Sequence, residues 1–391
     1  MLFIFVLCGL ASAISNRSLD PLITLLAREF DVPVATAALM SSAYAFPYAF
    51  SQPVLGPIGD FYGKSLVLKC CLWLLTAVML GIALAPNFET MLTFRLIGGV
   101  AAGGIMPVTM ALMSDRYPPA VRQLAIGRFL TAGLTGMVFG ASLAGIMAVT
   151  IGWRSFIFLS IAVSFTAAIG ATFFLKLPPP AKRDHGHIRL SDAVASYTAI
   201  LSNPKALLCF GTVCAEGFTL YGATPYIGSL LEQAGQGGPR EAGFALGAIG
   251  VGGILYSLTL QWTLRLMRRP TMMTVGAALV STGLLALALS APWQALAGAF
   301  AVTGFGFMLL HNSIQAEVSE LAPANRASAF STHSFSFFLG QAFGPIVCGF
   351  GLAHVGRPWL FFNIVFLTGA GLVASRMFRR FPTASGALNR N

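Results

Sequence analysis

Apolar runs of bilayer length follow one another from the first residue almost to the last, with polar interruptions between them. They fall at about 2–27, 34–55, 65–85, 90–113, 124–150, 154–175, 205–230, 243–264, 271–290, 293–315, 327–351 and 357–378. Crossing a hydrocarbon layer of about 30 Å takes about 20 helical residues. The pattern predicts an all-α polytopic membrane protein with twelve transmembrane helices, numbered here as spans 1 to 12. Most interruptions are so short that consecutive spans must be antiparallel neighbours. One is not. Residues 176–204 are polar, with Pro178-Pro179-Pro180 and then Lys182-Arg183-Asp184. They separate a six-helix bundle over 1–175 from a second over 205–378, and 379–391 form a tail. Within this connection Ser191 can cap a short amphipathic helix with Ala193, Val194, Tyr197, Ile200 and Leu201 on its apolar face. Such a helix would lie along the membrane surface. His185 and His187 sit in the same stretch, but without further ligands they read as a solvated loop, and no metal site is expected.

Composition agrees with the pattern. Of 391 residues, 56% are hydrophobic and 9% charged, against about 25% charged in soluble domains. The net charge of +11 could suggest nucleic acid, but its placement says otherwise. Most Lys and Arg residues fall in loops after even-numbered spans or in the tail. Only Arg28, Arg154, Arg240 and Arg357 fall on the other side, and Arg17 and Arg95 lie within spans. Positive loops stay cytoplasmic, which puts both termini inside and needs no nucleic-acid partner. The six cysteines are scattered along apolar runs and read as small hydrophobes. Residues 1–13 end in Ala11-Ser12-Ala13, like a signal-peptide cleavage site. No Lys or Arg precedes the run, and its removal would leave an odd number of spans, so it is read as span 1. The lack of a tail ahead of it is what a truncated start would also give.

The halves repeat. A shift of 204 residues lays Pro119, Ala120, Arg122, Ala125, Gly136, Phe139, Gly140, Gly145 and Gly152 on Pro323, Ala324, Arg326, Ala329, Gly340, Phe343, Gly344, Gly349 and Gly356 without a gap. Span 5 falls on span 11. Abundant glycine alone would not also match two Pro and two Arg.

Between spans 2 and 3 stands Gly56-Pro57-Ile58-Gly59-Asp60-Phe61-Tyr62-Gly63-Lys64. Asp60 and Lys64 are costly in hydrocarbon and hold this stretch at the surface. It reads as a tight turn. It resembles the signature loop of the major facilitator superfamily, G-x-L-a-D-r-x-G-r-[RK], at Gly56, Asp60, Gly63 and Lys64; Phe61 and Ser65 depart from it. A parallel repeat of two six-span halves is also that family's arrangement. The second-half counterpart, Arg265 to Pro270, keeps the basic residues and lacks the Asp. By resemblance, Asp60 meets the inner start of span 11 near Arg326, helped by Lys64 and Arg128, and this contact gates the inner side. Gly136 to Gly145 in span 5 is similar to the family's antiporter motif G-x-x-x-G-P-x-x-G-G, with Ala141 in place of Pro. Span 11 keeps Gly344-Pro345.

Ionisable residues inside spans mark functional candidates. Asp20 and Arg17 lie one turn apart in span 1, and Pro21 should kink the helix. Arg95 lies at similar depth in span 4, within Arg95-Leu96-Ile97-Gly98-Gly99, which resembles a family motif whose Arg is implicated in proton coupling. An Asp20–Arg95 or an Asp20–Arg17 pair is expected, either exchanging a partner for a proton or serving as a static pair. Glu216, near the midplane of span 7, is expected to carry a proton, bind a cationic substrate group, or simply be hydrogen-bonded between helices. Tyr221 and Tyr226, which follow it together with Thr224 and Pro225, are candidates to bind the substrate. His311, Asn312 and Gln315 in span 10, with His333 and Gln341 in span 11, are candidates for the cavity lining or for interhelical glue. Tyr44 and Tyr48 in span 2 either contact substrate or pack.

No phosphate-binding glycine loop followed by Lys, no H-E-x-x-H and no G-x-S-x-G is present, so no enzyme is expected. The resemblance implies a monomeric transporter without cofactors, driven by the proton gradient, which binds a small molecule in the inner membrane of a bacterium. Proton-coupled efflux of a small organic or drug-like compound is the first reading. Uptake or facilitated diffusion of an organic anion or sugar, and a non-transporting receptor or scaffold, are the alternatives.

Overall fold

The structure, a computed structural model, describes residues 1–17, 19–175, 198, 200–321 and 326–380. Regular structure among them is entirely helical. The spans are Leu2–Glu29, Leu39–Tyr62, Lys64–Ala83, Phe88–Arg116, Pro119–Thr150, Trp153–Phe174, Pro204–Gln233, Pro239–Leu266, Arg269–Ala288, Trp293–Leu321, Arg326–His354 and Trp359–Arg380. Ten helices among the described residues are long and apolar enough to cross a membrane. The amphipathic helix expected within 176–204 and the tail beyond 380 lie outside the described residues.

Several helices run past the apolar runs, because a helix keeps its hydrogen bonds beyond the hydrocarbon edge. The stretch 56–64 is a correction of this kind. It was expected to be a loop, yet the helix of span 2 continues to Tyr62 and span 3 starts at Lys64. Gly63 alone makes the reversal, at φ 102°, a region that side-chain-bearing residues avoid. Its N–H closes the first helix on the Gly59 carbonyl, and its own carbonyl accepts from Leu66 and Val67 at the start of the next.

The predicted kink at Pro21 is present. Span 1 breaks into Leu2–Arg17, a 3-10 turn at Asp20–Leu22, and Ile23–Glu29. Span 7 breaks in the same way at Thr224–Tyr226, 204 residues later. The pairing of helices repeats as well. In the first bundle, span 1 packs on 5 and 6, and spans 2 and 6 reach 4 and 3; in the second, span 7 packs on 11 and 12, and spans 8 and 12 reach 10 and 9. The two bundles meet through spans 5 with 8 and 11 with 2, which are themselves equivalent pairs. A charge pair closes the end of the third and fourth spans in each half. Lys64 Nζ lies 2.7 Å from Asp115, and Arg269 lies 2.6 Å from Glu320, with the same spacing of 51 residues.

With twelve spans, Met1 and Arg380 leave the bilayer on one face, called the terminal face below. Described contacts between the bundles lie at the midplane or towards the far face. They include Phe50–Phe335, Tyr48–Phe338, Phe46–Phe343, Gly247 against Ser142, and the pair Arg28–Glu232 at 2.6 Å.

Inside the second bundle, spans 7 and 11 touch backbone to backbone at Gly217, Gly222, Gly340 and Gly344, where a Cβ would strike main-chain atoms of the opposite helix. Without a hydrophobic drive between helices in lipid, such close approach carries much of the association. Gly340→Val should therefore destabilise the protein by about 1–3 kcal/mol, checked as a lower unfolding temperature in detergent, whereas Gly298→Val, where a Cβ meets nothing within 4 Å, should change it little.

Candidate functional site

The break in span 1 exposes the carbonyls that end its first segment, since the last turn of a helix has no following donors. Arg95 supplies them. Its three nitrogens donate to the carbonyls of Ser15 at 2.9 Å, Met40 at 3.2 Å and Asn16 at 3.3 Å. A guanidinium at a helix C-terminus also meets the favourable end of the helix dipole. The ring of Tyr44 lies 4.2 Å beneath it, and the Tyr44 hydroxyl bonds Ser15 at 2.8 Å. Of the two pairings open for Asp20, the structure shows the one with Arg17, at 3.2 Å. The Asp20–Arg95 alternative is corrected, because Arg95 is occupied by main-chain oxygens.

Asp20 is buried and fully furnished with donors. Besides Arg17 it accepts from Ser41 at 2.5 Å and from Thr224 of the opposite bundle at 3.0 Å. Arg17 reaches the same way. It bonds Gln341 and lies 4.1 Å over the ring of Tyr221. Arg17 with Tyr221, Asp20 with Thr224, Thr24 beside Gly228 and Arg28 with Glu232 are each separated by the repeat length. Spans 1 and 7 thus touch through equivalent positions, along the axis that relates the bundles.

Glu216 does not face this axis. Its side chain is fully enclosed in the second bundle, where Oε2 lies 2.8 Å from His311 Nδ1 and Oε1 has no described partner. His333 meets His311 edge-on at 4.7 Å between ring centres, and its Nε2 is likewise buried without a described partner. Phe307 and Phe337 close around the imidazole.

The remaining candidates divide. Tyr226 was expected at the substrate but is buried, bonding the Pro345 carbonyl and filling the space beside Gly349; it packs the far face. Tyr44 and Tyr48 are also buried, stacked on each other. Asn312 and Gln315 are half-buried, Asn312 donating to the Met308 sulfur at 3.9 Å. At the expected gate, Lys64 pairs with Asp115 and Arg128 is exposed. The side chains of Asp60 and Arg326 and the surroundings of Gly56 lie outside the described part, so the Asp60 contact is not among the contacts seen. Asp115, Ser41 and Thr224 were missed as partners. Equal spacing of the two charge pairs was a readable signal for Asp115. Nothing in one sequence joins Ser41 to Asp20.

A sequence profile of the Major Facilitator Superfamily matches residues 5–271 and 238–390. An uncharacterised MFS-type transporter of Bacillus subtilis, YybF, is 24% identical over 363 residues, 92% of this chain and 87% of its own. A gentisate transporter of Corynebacterium glutamicum is 24% identical over 250 residues, 61% of this chain and 54% of its own. Among solved structures, the nucleoside transporter NupG superposes with a TM-score of 0.77 at 16% identity, covering 96% of this chain and 98% of that one. The POT-family transporter PepTSo gives 0.75 at 14%, covering 100% and 98%.

Removing one partner of a buried ion pair strands the other. Asp20→Asn and Arg17→Gln should each cost about 3–5 kcal/mol, and the double variant should cost about 1–3 kcal/mol less than their sum. Unfolding of the four proteins in one detergent measures this, and strict additivity would show that the pair is not coupled.

Proposed function

The chain belongs to the major facilitator superfamily, and on that premise we propose that it moves a small organic compound across a bacterial inner membrane by proton-coupled efflux. The termini and the connection 176–204 are cytoplasmic in this reading, as the positive loops require. The described contacts between the bundles then lie at the midplane and towards the outer face. Rocking about the axis would part Arg17 from Gln341 and Tyr221, Asp20 from Thr224, and Arg28 from Glu232, while the Arg17–Asp20 pair stays within its own span.

The observation that carries the coupling is the setting of Glu216. It lies near the midplane, enclosed, with His311 as its described polar neighbour and no guanidinium or ammonium bonded to it. An unpaired charge there costs several kcal/mol, so the group suits a carrier that is loaded and unloaded with a proton. Asp20, held by three donors, suits a fixed anion and serves as a positioning group. Efflux is taken from the similarity of span 5 to the antiporter motif; the small residues of that stretch permit close packing, and Gly145 and Ser142 lie directly on the backbone of span 8.

A second reading is uptake of an organic anion. The first bundle encloses two guanidiniums, Arg17 and Arg95, beside one carboxylate, Asp20, and one of the relatives carries the name gentisate transporter.

Liposomes carrying the protein distinguish the two. Antiport should concentrate ethidium in liposomes with an acid lumen. Symport should concentrate gentisate in liposomes with an alkaline lumen, beyond what protein-free liposomes take up. In either case Glu216→Gln should abolish accumulation driven by the gradient while leaving exchange of labelled for unlabelled compound. Wild-type accumulation by Glu216→Gln would remove Glu216 from the coupling. Cross-linking Arg28→Cys to Glu232→Cys, with Cys70→Ser to remove an exposed thiol, should stop net transport, and cleavage of the linker should restore it.

A further inference from the structure

Glu216, His311 and His333 come from three spans and from three depths. Counted along each helix at 1.5 Å per residue, they lie about 18, 15 and 10 Å from the terminal face. Their order in depth is their order of contact, since Glu216 touches His311 and His311 touches His333. Accessibility differs between the first two. None of the Glu216 side chain is exposed, whereas 16% of the His311 side chain is. The imidazole therefore stands between an enclosed acid and open space. The titratable groups around the acid are few. Tyr221 lies on its own span, His311 on span 10 and His333 on span 11. Arg17 of span 1 is on the axis, over the Tyr221 ring. Glu317 is nearer the terminal face, bonded to Arg269 at 3.5 Å. On span 12, the other neighbour of span 7, Arg376 and Arg379 sit at the terminal end.

Resting on the assignment of Glu216 as the proton carrier, we propose that His311 is the port through which its proton passes to and from water, with His333 as a positioning residue for the ring. For release, the Glu216 carboxyl gives its proton to Nδ1 of the neutral imidazole, leaving a carboxylate and an imidazolium. The imidazolium gives its Nε2 proton to water, and the remaining Nδ1–H donates to the carboxylate. Uptake runs the same steps backwards. The imidazolium exists only in transit, and in the released state the enclosed carboxylate keeps the Nδ1–H of the neutral ring as its donor. Phe307 and Phe337 pack on the ring, and His333, counted along its helix, is the member of the cluster nearest the terminal face.

The test follows the carboxylic-acid C=O stretch of purified protein by infrared spectroscopy after a pH step. Glu216→Gln should delete a band. In His311→Ala the band should remain and respond at least about tenfold more slowly than in wild type, and added imidazole should restore the rate. A His311→Ala protein that responds at the wild-type rate, or one whose slow response imidazole does not relieve, overturns the port and leaves His311 a packing residue. If Glu216→Gln deletes no band, the carrier assignment itself fails, and the port falls with it. His333→Phe should slow the response less than His311→Ala; an equal or larger effect would overturn its secondary role.

Discussion

A helix that must break inside hydrocarbon has to find new partners for every main-chain group it frees. Span 1 breaks at Pro21, and its neighbours are arranged to answer that demand. Arg95 crosses from span 4 to the carbonyls of the first segment, Tyr44 supports the guanidinium, and Ser15 supports Tyr44. Asp20, at the break itself, accepts from side chains of its own span, of span 2 and of the opposite bundle. The break, the burial of two guanidiniums and the docking of spans 1 and 7 are one arrangement. A straight span 1 would leave Arg95 only the Met40 carbonyl of span 2 to hold.

The chemistry is divided unevenly between bundles that share one plan. The buried charges of the first, Arg17, Asp20 and Arg95, each have several partners. The second keeps an acid with an open oxygen and two imidazoles beside it. Position 216 corresponds to Ser12 and position 333 to Phe129 under the repeat, so this cluster of acid and imidazoles has no twin.

The spans, their number and the internal repeat were legible because each rests on a signal that a single chain displays: run length, charge placement and self-similarity. The kink was legible from Pro21. Boundaries were not, since helical hydrogen bonding ignores the edge of the hydrocarbon, and this is why 56–62 was taken for a turn. Among the site residues, the cost of burying charge was enough to single out Arg17, Asp20, Arg95 and Glu216. It could not say which partner each would take. Both Arg17 and Arg95 were within plausible reach of Asp20, and only the freed carbonyls, visible in three dimensions, claim Arg95. Tyr226 looked like a cavity residue by sequence distance from Glu216, yet the 3-10 turn at Thr224–Tyr226 turns it into the packing beside Gly349.

The meeting of equivalent positions on spans 1 and 7 has a consequence for how far the halves can resemble each other. A residue on a two-fold axis faces its own copy. Two copies of the first half would set Arg28 against Arg28, Asp20 against Asp20 and Arg17 against Arg17, stacking like charges at every level of the seam. Glu232, Thr224 and Tyr221 relieve that self-repulsion. Divergence at these positions is thus an electrostatic necessity of fusing duplicated bundles, and it lies where any ancestor made of two identical chains would have been weakest.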